Sequence, residues 1–553
     1  MPKSSQTLQL AGGTSVPPDN GDSNVRWHPL VWALVLQSLL LFLDLDLLDP
    51  WTDEWFTLTT APKSLSQILS TVAENIHPPL YYGLLHYWIE LPWMATPVAS
   101  MRAMSAAWAL VATVVIYFAW LRGQAPRFQR MFLALWVFSP SLVLHARMAR
   151  SYSMQLALAS LTIYAAPRWA EQPRNWKRLL TYFGSSTALL YTHYLSGLAV
   201  TAAVCVSFLL KKRFTLAAAN VALLAFLYAP WAPTLFSTMS RWIGFSYPHE
   251  GGSVISDQIV RLAYLFVSFS FGETLPTVCL VLSAALTPFV MYALWRAAGA
   301  RPAWLPVVLV AASIAWIPVS RIEQFVFTPN HLLFVLPFFL ILIVRQLNVL
   351  TFAALLVLYV CADYAYFSKS GFLVKPYAAP YQEMADLING SRGQNATVAV
   401  DVYGVFPPPL LNRLDDSIRV ILLYNETSAR ELLEGRSSGP SVVWLWGRTS
   451  DVSPGAFVTK LQQDLSVGRE VRHHEFVAYS LPERWARRLL RGPGQPNYYY
   501  SLSEFRTSLS PWHASDAAKQ RSYLGVSMRK SAWRKPGMEH PSLAKRVCTF
   551  HML

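Results

Sequence analysis

Polar and apolar positions along the chain separate into three regimes. Residues 1–26 are polar, rich in Ser, Gly and Pro, and hold no apolar core of a signal peptide. They predict a disordered cytoplasmic leader followed by an uncleaved anchor. Apolar stretches then recur at 29–48, 99–121, 131–146, 151–167, 179–193, 194–210, 214–236, 275–295, 303–319, 331–345 and 347–367. These are eleven candidate spans, several of them short for a crossing of about 20 residues. From about Ser368 the pattern turns soluble. The β-like runs TVAVDVYG (397–404), IRVILLY (418–424) and SVVWLW (441–446) alternate with helix-like stretches at 380–390 and 455–466, which predicts a small α/β domain over 368–490. Residues 491–553, beginning RGPGQPNYYY, show no sustained periodicity and read as a basic, flexible tail.

Cationic connections order this pattern. With the leader in the cytoplasm, Arg122/Arg127/Arg130, Arg168/Arg174/Lys177/Arg178, Lys211/Lys212/Arg213, Arg296/Arg301 and Arg345 all fall on the inner side. This holds only if the apolar segments 78–94 and 258–271 are interfacial or re-entrant helices that do not cross. The first loop, 49–98, and everything after Phe367 are then expected on the outer side. The predicted fold is mostly α, a polytopic membrane helix bundle with a small extracytoplasmic α/β domain at its C-terminal end.

Composition narrows the function. Hydrophobic residues make up 53% of the 553 positions and charged residues only 14%, with mean hydropathy +0.30, which excludes an ordinary water-soluble enzyme. Three of the four Cys (Cys205, Cys279, Cys361) lie inside apolar runs, so neither a disulfide framework nor a thiolate metal site is expected. The net charge of +15 is concentrated at one end, with 13 Lys and Arg against 4 acids from Leu481 onward. No groove-reading motif accompanies it, and no nucleic-acid partner is expected. Anionic membrane lipids are the partners such a tail suits.

The chemistry concentrates in the first loop, in DPWTDEWFTL (49–58) and ENIHPPLYYGLL (74–85). An acid pair, Asp53 and Glu54, directly after a span is costly near hydrocarbon unless it faces a cavity. A solvated loop pair is the plainer alternative. His77-Pro78-Pro79 pushes the chain into an extended turn ahead of an aromatic helix and is expected to hold His77 and Glu74 beside that pair. Asp44-Leu45-Asp46 has the DxD form, but no nucleotide-binding domain follows it. The two carboxylates at the end of the first span are read as candidates to line the same cavity.

With HARMARSYSMQL (145–156), YTHYLSGL (191–198), YAPWAP (228–233) and FTPNHLLFVLPFFL (327–340), the ordered set resembles the integral membrane glycosyltransferases of the GT-C superfamily. The likeness is to the polyprenyl-phosphate-sugar-dependent members near glycosyltransferase family 39 and the aminoarabinose-transferase-like group. It extends over residues 27–485. The sequence departs from the family where Asn75-Ile76 precede HPP, an acid being usual there, and where Asn330-His331 replace an Arg-Tyr pair. The resemblance implies inverting transfer of a sugar from a polyprenyl-phosphate donor to a lipid, glycan or protein acceptor, at the extracytoplasmic side of a bacterial inner membrane.

Because the leaving phosphate is already acidic, such transfer needs one general base on the acceptor hydroxyl and cations on the phosphate, without a protonated carboxyl. Asp53 is the expected base. Glu54 is expected to orient the acceptor or support Asp53, and Glu74 to take a second acidic role. Arg147 and Arg150 sit where topology alone disfavours cations and are the expected phosphate ligands, since Arg offers bidentate bonds to phosphate. His77 and His193 are candidate phosphate donors. For each of the four a structural role is the competing reading. No ligand spacing requires a metal; a divalent cation stays open, and no other cofactor is expected. A lipid-sugar transporter or a membrane scaffold remain the alternatives in function.

Overall fold

The computed structural model describes residues 28–243, 254–300, 328–401 and 407–507, apart from positions 76, 92–93, 424–425, 435–440, 449–455, 468, 492 and 494. The candidate span 303–319, the leader and the region from 508 onward lie outside the described residues.

The helical part opens with α1 (His28–Phe42). The first loop then folds into three short helices, α2 (Thr52–Thr60), α3 (Leu65–Glu74) and α4 (Leu80–Ile89). Ser64 starts α3 through a capping box with Gln67. Ten residues make α4 about 15 Å long, too short to cross a bilayer. Thr96 and Pro97 start α5 (Pro97–Ile116), with the Thr96 hydroxyl accepting from the Ala99 amide at 3.0 Å. Beyond lie α6 (Pro126–Val137), α7 (Pro140–Ala146), α8 (Tyr152–Glu171), α9 (Trp176–Leu190) and α10 (Tyr194–Leu210). They are followed by α11 (Phe214–Tyr228), α12 (Ala232–Ile243), α13 (Val254–Phe271), α14 (Thr277–Ala300), α15 (Leu336–Val344) and α16 (Val349–Phe367).

Small side chains let α5 and α8 approach closely. Ala99, Ala103, Ala106, Ala109 and Ala112 of α5 are buried, as are Ser153, Ala157, Ala159 and Ser160 of α8, the composition by which helices pack when lipid removes the hydrophobic drive between them. Buried polar groups cross-link neighbours: the Thr113 hydroxyl donates to Gln37 at 2.7 Å and accepts from the Trp136 indole at 2.8 Å, tying α5 to α1 and α6. The outward faces are apolar too, with Leu39, Val278, Val281, Leu350 and Val357 more than half exposed. Such a surface suits lipid and is unfavourable in water.

Eleven apolar stretches do not become eleven long helices. Among the described residues, three helices are long and apolar enough to cross a membrane, Pro97–Leu121, Thr277–Ala297 and Val349–Phe367, and a fourth pair, Phe214–Tyr228 with Ala232–Thr238, is bent by 81°. Proline accounts for several breaks, because it lacks the N–H that continues a helix. Pro140 splits the stretch 131–146 into α6 and α7, and Pro230 lies at the 81° bend. The stretch 331–345 spends its first residues in a turn and a 3-10 segment, leaving nine for α15.

The C-terminal part holds a five-stranded sheet in the order β2-β1-β3-β5-β4. Its strands are β1 (Thr397–Asp401), β2 (Arg419–Leu423), β3 (Val442–Arg448), β4 (Arg469–Ala478) and β5 (Tyr498–Thr507). The first three are parallel and β5 runs antiparallel to β3 and β4. Helix α17 (Tyr381–Asn389) and the turn α18 (Pro408–Leu411) cover the face that carries Val398, Val400 and Trp446; α19 (Glu426–Glu434) and α20 (Ala456–Ser466) cover the face of Ala399, Val443 and Leu445. Helix α21 (Leu481–Arg491) joins β4 to β5. The sheet therefore extends past the expected boundary near 490, since it includes β5 (Tyr498–Thr507). Strand β5 lies between β3 and β4, and its aromatic alternation was hidden behind the Gly- and Pro-rich turn before it.

This domain rests on the first loop. Asp49 accepts from the Gln382 amide at 2.9 Å and pairs with Arg413 at 3.3 Å, and the Trp51 and Tyr377 rings meet edge-on at 4.9 Å.

Candidate active site

Asp53 and Glu54 both occupy the first turn of α2, yet helical rotation sends them to different places. Glu54 is 1% exposed and accepts from Arg102 Nε at 2.8 Å, Arg102 Nη2 at 2.7 Å and the Ala149 amide at 2.7 Å. Arg102 also donates to the Leu45 and Leu48 carbonyls at 2.6 and 2.9 Å. Glu54 thereby stitches the first loop to α5 and to the turn before α8. Its oxygens are occupied by protein donors, so an acceptor-orienting role finds no geometric support.

Asp53 faces the other way. Its Oδ2 lies 3.8 Å from Arg150 Nη2, and Arg150 Nη1 donates to the Asp53 carbonyl at 3.2 Å and to the Tyr82 hydroxyl at 3.1 Å. Burial pushes the Asp53 carboxyl above the usual carboxylate range; the Arg150 charge opposes this and the Glu54 charge adds to it. Arg150 Nε is buried with no hydrogen-bond partner among the described residues. The turn that presents Arg150 is held by Ser105, whose hydroxyl donates to the Arg150 carbonyl at 3.0 Å and bonds the Tyr81 hydroxyl at 3.0 Å.

Three imidazoles complete the cluster. The His77 ring packs against Phe56 and Tyr82 at centroid separations of 4.9 and 5.9 Å, and the following Leu80 amide donates to the Tyr191 carbonyl at 2.9 Å, bringing the HPP turn beside the start of α10. His193 caps α10, its Nδ1 accepting from the Ser196 amide at 3.5 Å, and its ring lies 5.1 Å from that of His331. His331 is placed by Asn330, which donates to the Tyr152 hydroxyl at 3.0 Å and accepts from Gln155 at 2.8 Å. Burial lowers the proton affinity of His77 well below the histidine norm, and the charges of Arg150, His193 and His331 lower it further. Asp53, Arg150, Tyr82, Tyr152 and three histidines thus converge from five segments of chain on one end of the bundle.

Beside Tyr152 lies a second network, in which His145, Ser268 and Glu273 are buried. His145 Nε2 lies 2.8 Å from Glu273 Oε1, which also accepts from Ser268 at 2.9 Å, while Tyr264 bonds the other oxygen. Burial raises the Glu273 carboxyl, but His145 and these hydrogen bonds outweigh it and hold it below its usual value.

Two expected residues stand apart. Arg147 donates to the Leu40, Leu41 and Asp44 carbonyls at 2.8, 3.1 and 2.7 Å and to the Tyr366 hydroxyl at 3.1 Å, so four of its five N–H groups serve the end of α1 and α16. Glu74 is exposed at the end of α3 with no hydrogen bond or ion pair among the described residues. Asp46 accepts from the Thr96 hydroxyl at 2.7 Å and supports the start of α5. Tyr82, Tyr152, Arg102 and His331 were not singled out as site residues from sequence, although HPPLYY, RSYS and PNHLL contain three of them. Among the described residues no group of three or more His, Cys, Asp or Glu is placed to hold a metal ion.

No protein-family profile matches the chain, and no curated protein matches it. Among solved structures it is similar to ArnT from Cupriavidus metallidurans in the apo state, with TM-score 0.48 and 13% identity, covering 86% of this chain and 97% of that one. The same protein bound to undecaprenyl phosphate gives TM-score 0.48 and 12% identity over 86% and 98% of the two chains. An Archaeoglobus fulgidus oligosaccharyltransferase in the apo form gives 0.45 and 12% over 77% and 70%. Identities this low leave the chemistry to be read from the residues.

Proposed function

We propose that the chain is an inverting membrane glycosyltransferase that moves a sugar from a polyprenyl-phosphate donor to an acceptor hydroxyl, at the extracytoplasmic end of the bundle in a bacterial inner membrane. The observation that carries this reading is the placement of one carboxylate, Asp53, 3.8 Å from a buried arginine, Arg150, whose charge acts on His77 and His193. A single base beside a cationic pocket is what displacement of a phosphate requires.

In this reading Asp53 takes the proton of the acceptor hydroxyl as that oxygen bonds to the anomeric carbon. The bond from that carbon to the phosphate oxygen breaks, and the lipid phosphate leaves with the electron pair. Arg150 receives the phosphate charge, with His77, His193 and His331 as further donors. Burial strengthens these contacts, because little water screens them. The raised proton affinity of Asp53 makes it a better base than an exposed aspartate, and the Arg150 charge favours its ionised form against burial. Glu54 and Arg147 act by holding α2 and the Arg150 turn in register.

The test is release of free polyprenyl phosphate from labelled donor by the purified protein. Release in step with a glycosylated acceptor is the expected result. Movement of intact donor across liposomes without release would overturn the reading and assign a transporter.

A further inference from the structure

Helix α21 carries an apolar stripe that nothing among the described residues covers. Leu481, Trp485 and Leu489 are 53%, 68% and 87% exposed. They recur every four residues, which confines them to a sector about 80° wide. Arg484 and Arg488 border that stripe, while Glu483 and Arg487 project from the opposite side.

The opposite side is tied to the membrane end of two long apolar helices. Glu483 pairs with Lys375 at 2.8 Å, and Lys375 is itself nearly buried, donating to the Phe372 carbonyl at 2.6 Å. The strand leading to Lys375 is pinned to the entrance of α14. The Leu275 amide donates to the Gly371 carbonyl at 2.8 Å, the Leu373 amide donates to the Glu273 carbonyl at 2.8 Å, and Thr274 bridges Phe372. Gly371 has φ +67°, and a Cβ there would lie 2.8 Å from Pro276 N, so only glycine permits this approach. Lys375 therefore sits just past the end of α16 (Phe367) and beside the start of α14 (Thr277), where the ends of two long apolar helices meet.

We propose that α21 lies on the bilayer surface at this end of the bundle, with Leu481, Trp485 and Leu489 in the acyl boundary and Arg484 and Arg488 on anionic headgroups. Tryptophan is suited to this depth, and arginine can bury its stem while its head reaches the phosphates. An amphipathic helix of this kind binds through apolar area and lipid charge together. Charge argues against the chain's own C-terminal region as the occupant, since residues 508–553 hold 8 Lys and Arg against 2 acids and would repel the same arginines. The ion pair with Lys375 thereby becomes a strut that sets the height of the α/β domain over the first loop.

Spin labels on the full-length protein, with its four native cysteines replaced, test this in lipid nanodiscs. Leu489→Cys is compared with Gln462→Cys, an exposed position on α20. In nanodiscs containing phosphatidylglycerol the label at 489 should be several-fold more accessible to oxygen than to a nickel chelate, with the reverse at 462. Arg484→Gln/Arg488→Gln, or nanodiscs of phosphatidylcholine alone, should return the 489 label toward the aqueous pattern. An aqueous pattern at 489 throughout would overturn the proposal, as would shielding from both probes, which would mean that a protein segment covers the stripe. Equal depth in both lipid compositions would overturn the role given to the arginines.

Discussion

Glu54 and Arg102 stand 48 residues apart in sequence and meet as a buried bidentate pair, with N···O distances of 2.8 and 2.7 Å. That pair decides what its neighbour can do. With Glu54 neutralised from α5, the only acid of the pair left facing the histidine cluster is Asp53, which Arg150 approaches to 3.8 Å. An acid dipeptide that looks symmetrical in sequence is asymmetrical in space.

Breaking that pair should unfold the first loop. Removing one partner of a buried ion pair leaves an uncompensated charge, at a cost of about 3–5 kcal/mol. Glu54→Ala should lower the thermal midpoint in detergent strongly, while Glu54→Ala/Arg102→Leu recovers part of the loss. Equal midpoints for wild type and Glu54→Ala would show that the pair does not hold the loop.

Asp53→Asn separates chemistry from stability. Transfer should fall by about two or more orders of magnitude, the scale of losing a general base. Since burial raises the Asp53 proton affinity in the folded state, its ionised form opposes folding near neutral pH. The thermal midpoint of the Asn variant should accordingly stay level or rise. A variant that is both inactive and strongly destabilised would point to a structural aspartate.

The two arginines should part company in the same way. Arg150→Lys keeps the charge but loses the planar fork, and should weaken binding of polyprenyl phosphate by roughly tenfold or more, as expected for a lost charge-assisted bond. Arg147→Lys leaves buried carbonyls unsatisfied and should instead lower the thermal midpoint, with donor affinity in the surviving folded protein nearly unchanged. Titration of both variants with the lipid phosphate checks this.

His77 gives a pH signature. Its folded proton affinity lies well below the usual value near 6.5. Between those two values the unfolded chain binds a proton that the folded chain does not. The contribution of His77 to stability is therefore full above about pH 6.5 and is lost as pH falls toward the depressed folded value. His77→Gln should shrink the difference in thermal midpoint between pH 7.5 and pH 5.5. A difference as large as in wild type would assign that pH dependence to other groups.

A phosphate entering the cluster reverses the sign for these rings, since an anion favours the imidazolium. Calorimetry of polyprenyl phosphate binding near pH 7, in two buffers of different ionisation enthalpy, should reveal net proton uptake. Its absence would mean that the imidazoles do not face the ligand.

Much of this protein was legible from the order of its residues. Apolar runs with few charges imply helices in lipid, because no soluble core could absorb them. Trp and Tyr richness, the HPP turn and the acid pair after α1 drew attention to the first loop. Three β-like runs after Ser368 became β1, β2 and β3. Other elements were hidden for identifiable reasons. Strand β4 reads REVRHHEFVA, whose exposed polar face leaves little apolar alternation to detect. The apolar run 131–146 looked continuous, although Pro140 within it starts a second helix.

Sequence by itself pointed to the medium, the helical class and a first loop that folds into short helices, because these follow from local composition and from prolines that act on their own neighbours. It could not determine which member of Asp53-Glu54 remains available, which of Arg147 and Arg150 has donors to offer, or that His331 joins His193. Each of those depends on partners 48, 103 or 138 residues away, such as Arg102 for Glu54, Asp44 for Arg147 and His331 for His193. A buried charge is defined by what neutralises it, and in this chain the neutralising groups arrive only when the helices pack.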